Sequence, residues 1–313
     1  MKKIYAICMI GLCLCFSCSN KGKTTATGQA EADSAMNPKY ATGYEVRDSN
    51  GVRLVDVGKG YHFALVTNDN EVDVPDGYTK VRVPIKNTIC MTALQLSNFT
   101  ILDAHDVVKG ITGITLVPHL GYQELDPLGQ AEWIKFVGMF IGKEKEANEL
   151  FAGIESRYQN LKSQTSNLKP EERPTVLSGE MHYGNWHAVG GKNYLAQIFR
   201  DAGADYVIHD DETAGEDLEF EKMYELAANA DYWRILNSYP GEFSYEALKA
   251  SEPRNELFKS FKERKVIYCN MKQTPYYEIS PVEPDVLLKD FVAIFHPELV
   301  EADYKPTFYY LLK

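Results

Sequence analysis

The chain has 313 residues, 44% of them hydrophobic and 25% charged, with 22 glycines and 14 prolines. These proportions exclude a fibrous or wholly disordered chain and leave room for two domains. The formal net charge of −11 argues against a nucleic-acid partner, because phosphate binding needs a basic face.

Residues 1–18 read MKKIYAICMIGLCLCFSC. Lys2 and Lys3 form a basic start, and the apolar run 4–16 is too short to span a bilayer, so the segment reads as a secretory signal. Ser17-Cys18 ends it where a bacterial lipobox would, with the Cys18 thiol as the acylated atom; an ordinary signal cut elsewhere is the alternative. Acyl chains would anchor the protein without spanning the membrane. Residues 19–43 are polar and aperiodic, as expected of a flexible tether. Beyond them only Cys90 and Cys269 remain, in strand-like runs, which suits buried thiols better than a disulfide scaffold.

Between 44 and 126 the runs YEVRD, VRLVDV, HFALVT and KVRVPI alternate in polarity and are broken by SNG, GKG, TNDN and PDG, which predicts hairpins. A short strand at 88–91, a helix over 92–104 and a strand from 107 follow in strand–helix–strand order. The span 127–168 predicts two helices. The first, 127–141, places Trp133, Phe136, Val137 and Phe140 on one side. The second, 143–165, carries apolar residues at steps of three and four and suits a connector between lobes. From 169 to 313, strands near 175–178, 206–208, 232–236 and 266–270 alternate with helices near 193–202, 220–230, 245–250 and 284–295. That order predicts a mainly parallel sheet covered by helices on both faces.

The stretches VPIKNTICM, DPLGQAEWIKFVGMFIGKEKEANELFAGIESRY, GNWHAVGGKNYLAQIFRDAGADY, FEKMYELAANADYW and YYEISPVEPDVLLKDFVAIFHPEL together resemble the periplasmic solute-binding proteins of iron-siderophore, haem and cobalamin ABC importers. The resemblance implies an α/β fold of two Rossmann-like lobes joined by one long helix, with the ligand held between them. It also implies an ABC permease as partner, a metal chelate or cobalamin as ligand, and no cofactor. One departure is visible: GITGITLVP runs almost directly into HLGYQELDPLG, where the family continues its first lobe. The first lobe is therefore abbreviated, and an accessory lipoprotein that no longer delivers to a permease is the alternative function.

The resemblance assigns candidate residues. Trp186 and His187, before the GGKNY turn, would face the ligand, with the Trp186 ring stacking on it; the alternative makes Trp186 a core plug. Tyr276, Tyr277 and Glu278 would supply an aromatic-acidic pair near the cleft, or else form a surface turn. Met91 and Thr92 lie at a strand-to-helix turn that topology points toward the cleft. Glu221 aligns with the acidic residue that docks on the permease, although a glutamate at a helix start is also favoured by the helix dipole. Gly190-Gly191-Lys192 fails the phosphate-loop pattern, because the required first glycine falls at Trp186. Glu180, His182 and His187 offer a metal-dependent hydrolase as a third reading, but their spacing is not that of a helix-face chelate. No nucleophile motif with its supporting context is present, so catalysis is not expected.

Overall fold

A computed structural model of the protein describes residues 36–49, 51–67, 72–109 and 117–313. The expected signal segment, Cys18 and the tether up to residue 35 lie outside them.

The chain opens with β1 (Tyr44–Ser49), β2 (Val52–Val57) and β3 (Tyr61–Val66), antiparallel neighbours as the turn residues predicted. The fourth strand, β4 (Thr79–Arg82), instead joins β3 in parallel, which a hairpin cannot do. Alternation divides the side chains of this sheet. Tyr44, Val46, Val55, Val57, Phe63 and Leu65 enter the main core. Val52, Leu54, Ala64 and Val66 form a small outer cluster under Val72, Val74 and Tyr78.

Helix α1 (Ala93–Ile101) begins at Thr92, whose hydroxyl accepts from the Gln95 amide. Among the described residues, the strand–helix–strand unit expected around it shows one parallel bridge, Thr88 to Val108. Helix α2 (Pro127–Ile141) has Asp126 as its cap, Pro127 in its first turn and Gly142 in the left-handed region at its end. All its residues except Gln130 are buried, so it is a central core helix and not the amphipathic one its aromatic stripe suggested. Helix α3 (Glu144–Thr165) spans 22 residues, about 33 Å, and buries Ala147, Phe151, Ile154, Tyr158 and Leu161 at the predicted steps.

Two buried carboxylates shape this half. Glu132, on α2, is 0% exposed; it accepts the amides of Lys39, Tyr40 and Ala41 at 2.6–2.9 Å and the Lys135 ammonium at 2.9 Å. Glu124 accepts the amides of Thr42 and Gly43 and the Trp133 indole N–H. The end of the expected tether, residues 36–43, is thus a strap laid across α2 and α3, with Met36 buried beside Asn148.

His119 is sandwiched against Trp133 and Phe136. Its Nδ1 accepts from the Gly121 amide and its Nε2 faces the Asn98 amide group. Burial lowers its pKa to about 4, because no charge stands by to stabilise the imidazolium. The unfolded chain binds this proton near pH 6.5 and the folded one only near 4. Stability is therefore complete above 6.5 and declines as pH falls through that window, by at most about 3 kcal/mol. Denaturant melts of wild type and His119→Gln at pH 7 and pH 4.5 check this: the variant should lose less on acidification, and identical losses would refute it.

The second half begins with β5 (Thr175–Ser178), followed by β6 (Glu180–His182), β7 (Asn185–Ala188), α4 (Tyr194–Asp201), β8 (Asp205–Tyr206), β9 (Glu216–Leu218), α5 (Phe220–Ala227) and β10 (Tyr232–Asn237). Then come α6 (Tyr245–Ser251), α7 (Lys259–Lys262), β11 (Val266–Asn270), α8 (Tyr276–Ile279), α9 (Pro284–Phe295) and β12 (Tyr310–Leu311). The main sheet has the order β12-β11-β10-β5-β8. It is parallel apart from β12, which pairs antiparallel on the edge. One face packs Phe199 of α4 against Phe291 and Phe295 of α9; the other packs Trp186, Trp233, Phe220 and Phe258 together. Asp290 of α9, 0% exposed, accepts the amides of Thr307, Phe308 and Tyr309 and the Tyr304 hydroxyl, and so fixes the C-terminal segment.

Candidate ligand site

Strand order locates a site before any side chain is considered. From β5 the chain crosses to β8 on one side; from β10 it crosses to β11 on the other. The order reverses between β5 and β10, and a crevice forms beyond the carboxyl ends of strands at such a switch point.

Polar groups converge there. Arg234 of β10 is paired in register with Ser178 of β5. Glu180 follows β5 by two residues and accepts from the Asn237 side-chain amide at 3.2 Å. Asn237 in turn accepts from the Tyr268 hydroxyl at 2.9 Å. Burial pushes the Glu180 carboxyl up, against the opposing pull of Asn237, His182 and Arg234. Arg234 lies within electrostatic reach of the phenols of Tyr309, Tyr276 and Tyr277. Tyr277 is 53% exposed and Tyr276 is buried, the two rings meeting edge to face.

The turn after β5 depends on backbone contact. Gly179 has φ +101°, and a Cβ there would fall 2.0 Å from the His187 carbonyl oxygen. Gly190 and Gly191 press in the same way on the backbone carbonyls of Glu212 and Asp210, so the GGK segment is a close-packed turn, as expected.

Several candidate residues fall elsewhere than the sequence suggested. Trp186 is not in a loop. It is an inward position of β7, 0% exposed, with its indole N–H donating to the Ser178 carbonyl at 3.0 Å and its ring against Trp233 and Phe258. It has no free face for a ligand, and the core-plug alternative is the correct one. Strand alternation turns its neighbour His187 outward, where Nδ1 meets the Asp217 carboxylate at 2.9 Å. Tyr276 is likewise buried under Phe308 and Tyr309, which leaves Tyr277 and Glu278 as the exposed members of that group. Met91 is 81% exposed, and Thr92 caps α1, which packs against α8 and so brings the two candidate groups onto adjoining elements. Glu221 lies at the start of α5, paired at 2.8 Å with Arg254, which also binds Glu252.

The metal reading finds no support in the geometry. Among the described residues no group of three or more His, Cys, Asp or Glu side chains could hold an ion. Cys90 and Cys269 are free thiols whose pKa burial pushes up to about 11. The sequence reading passed over Arg234, Glu180 as a pocket residue, Asn237 and Tyr309.

Residues 116–272 match the family model described as "Periplasmic binding protein", half of the chain. The chain belongs to this family. An uncharacterized lipoprotein of Methanocaldococcus jannaschii is 29% identical over 188 residues, covering 59% of this chain and 43% of that protein. A second uncharacterized lipoprotein of the same organism is 26% identical over 203 residues, covering 64% and 51%. The chain thus spans about half the length of the curated relatives it matches. A crystal structure of a periplasmic binding protein from Veillonella parvula superposes with a TM-score of 0.53 at 13% identity, covering 82% of this chain and 99% of that one. The fold is accordingly the two-lobed α/β fold expected. Members of that family are solute-binding proteins and not enzymes. No helix among the described residues is long and apolar enough to cross a membrane.

Proposed function

We propose that this protein is a lipid-anchored solute-binding protein that captures an iron chelate (siderophore or haem) or cobalamin and delivers it to the permease of an ABC importer. The observation that carries the reading is the convergence of Arg234, Glu180, Asn237 and Tyr277 at the switch point of the parallel sheet. A largely preformed crevice with a few convergent polar groups and an aromatic face is what capture of a rigid, planar or globular chelate requires. Met91, Thr92, His187 and Glu278 complete the rim, and Tyr276 supports Tyr277 from below. Cys18 carries the lipid, and residues 44–126, 127–168 and 169–313 act as first lobe, connecting helices and second lobe. Glu221 docks on the permease after exchanging Arg254 for a permease cation.

One observation favours the alternative, an accessory binding lipoprotein without a permease. Among the described residues, the strand–helix–strand part of the first lobe is a single bridge beside α1, so the crevice has one full wall. A thermal melt of the full chain in detergent, with haem, cobalamin and a panel of ferric siderophores, tests capture. A ligand that binds only the folded state at a hundred times its Kd adds about 2.7 kcal/mol. We expect one chelate class to raise the midpoint by several degrees; a melt that no member of the panel moves would overturn capture.

A further inference from the structure

Arg234, at the switch point of the parallel sheet, is a buried cation with few acceptors. Arg234 is 8% exposed. Its Nε and Nη2 both donate to one atom, the Tyr309 hydroxyl, Nε at 2.7 Å. Its Nη1 reaches the Ser178 hydroxyl only at 3.4 Å. A guanidinium presents five N–H donors in a planar fork, so one phenol and one long contact leave part of that fork unused. Among the described residues no carboxylate lies within 4.0 Å of it. Glu180, the acid that feels its charge, is held by Asn237. Taking an ion out of water without pairing it costs several kcal/mol.

We propose that Arg234 is the anchor for an anionic oxygen group, a carboxylate on the rim of the captured molecule, which enters beside Tyr277 and completes the guanidinium's donor set. The fork matches a carboxylate in bidentate geometry, which a lysine could not reproduce. Tyr277 is half-exposed and within electrostatic reach of Arg234. Tyr309 holds the fork in place, and is itself fixed by the clamp of Asp290 on its amide. The ligand class is thereby narrowed to chelates with free carboxylates. This inference rests on the capture reading.

The test uses the full chain in detergent, wild type, Arg234→Met and Arg234→Lys. The probes are haem, which bears two propionates, its dimethyl ester, and sodium citrate without metal. Wild type should bind the acid form about tenfold or more tightly than the ester, the worth of one charge-assisted pair. Arg234→Met should bring that ratio near one while leaving the ligand-free midpoint unchanged or raised. Arg234→Lys should keep part of the preference. Equal binding of acid and ester by wild type would leave capture standing and overturn the anchor. A lower ligand-free midpoint in Arg234→Met with the ratio intact would make Arg234 a structural partner of Tyr309 only, and also overturns it. If neither porphyrin binds, citrate decides: it should raise the wild-type midpoint and not that of Arg234→Met, and equal shifts overturn the anchor.

Discussion

Replacing Glu132 by alanine is expected to lower the unfolding free energy by about 3–5 kcal/mol, the cost of breaking a buried charge pair from one side. For a chain of this size that is roughly 10 °C in midpoint. Three consecutive amides, those of Lys39, Tyr40 and Ala41, would lose their acceptor, and the Lys135 ammonium, 10% exposed at its side chain, would be left buried without its carboxylate. The strap 36–43 should come away before the rest of the molecule unfolds, because its remaining holds are Glu124, the bonds of Lys39 and Tyr40 to Glu155 at the surface of α3, and the seat of Met36. Limited proteolysis should then cut Glu132→Ala within residues 36–43 under conditions where wild type resists. Glu132→Gln, which keeps one acceptor oxygen, should fall between the two. A Glu132→Ala protein that melts within about 1 kcal/mol of wild type with unchanged proteolysis would show that the strap contributes little.

The second large effect concerns Trp186. Truncation to alanine empties the space between Trp233, Phe220 and Phe258 and should cost about 3–5 kcal/mol. Trp186→Phe should cost less, and it should leave chelate affinity within about twofold of wild type, since the ring faces the core. The indole N–H bond to the Ser178 carbonyl is lost in both variants, which sets a floor of about 1 kcal/mol on the damage. If Trp186→Phe abolished chelate binding at unchanged stability, the ring would have to be a ligand face, and the packing described above would not be that of the working protein.

The legibility of this chain from its sequence divides along physical lines. Helices announced by caps and periodic apolar residues were readable. Asp126-Pro127 and Gly142 bound α2, and the steps of three and four in α3 set its buried face. The strands Thr175–Ser178 and Val266–Asn270 were readable as apolar runs between breakers. Gly184 and Asn185 before Trp186 read as loop, and β7 is four residues long; alternation over so short a strand gives no clear signal. Glu132 is one of many carboxylates on helical faces, where charge ordinarily means solvation. Its partners are backbone amides some ninety residues away, and an amide leaves no trace in side-chain chemistry. Arg234 was hidden similarly. Within YWRILN a single charge reads as an outward position, and its contact, Tyr309, is 75 residues distant.

The two carboxylate clamps also settle how the molecule bears force. A pull applied from the N-terminal side reaches Glu132 and Glu124 before it reaches β1. Tension is therefore passed to the middle of the helical layer, and the edge of the first sheet is not peeled strand by strand. At the other terminus Asp290 does the same for β12. Pulled from either end, the molecule loads a buried carboxylate on a core helix before it loads the strand beyond it.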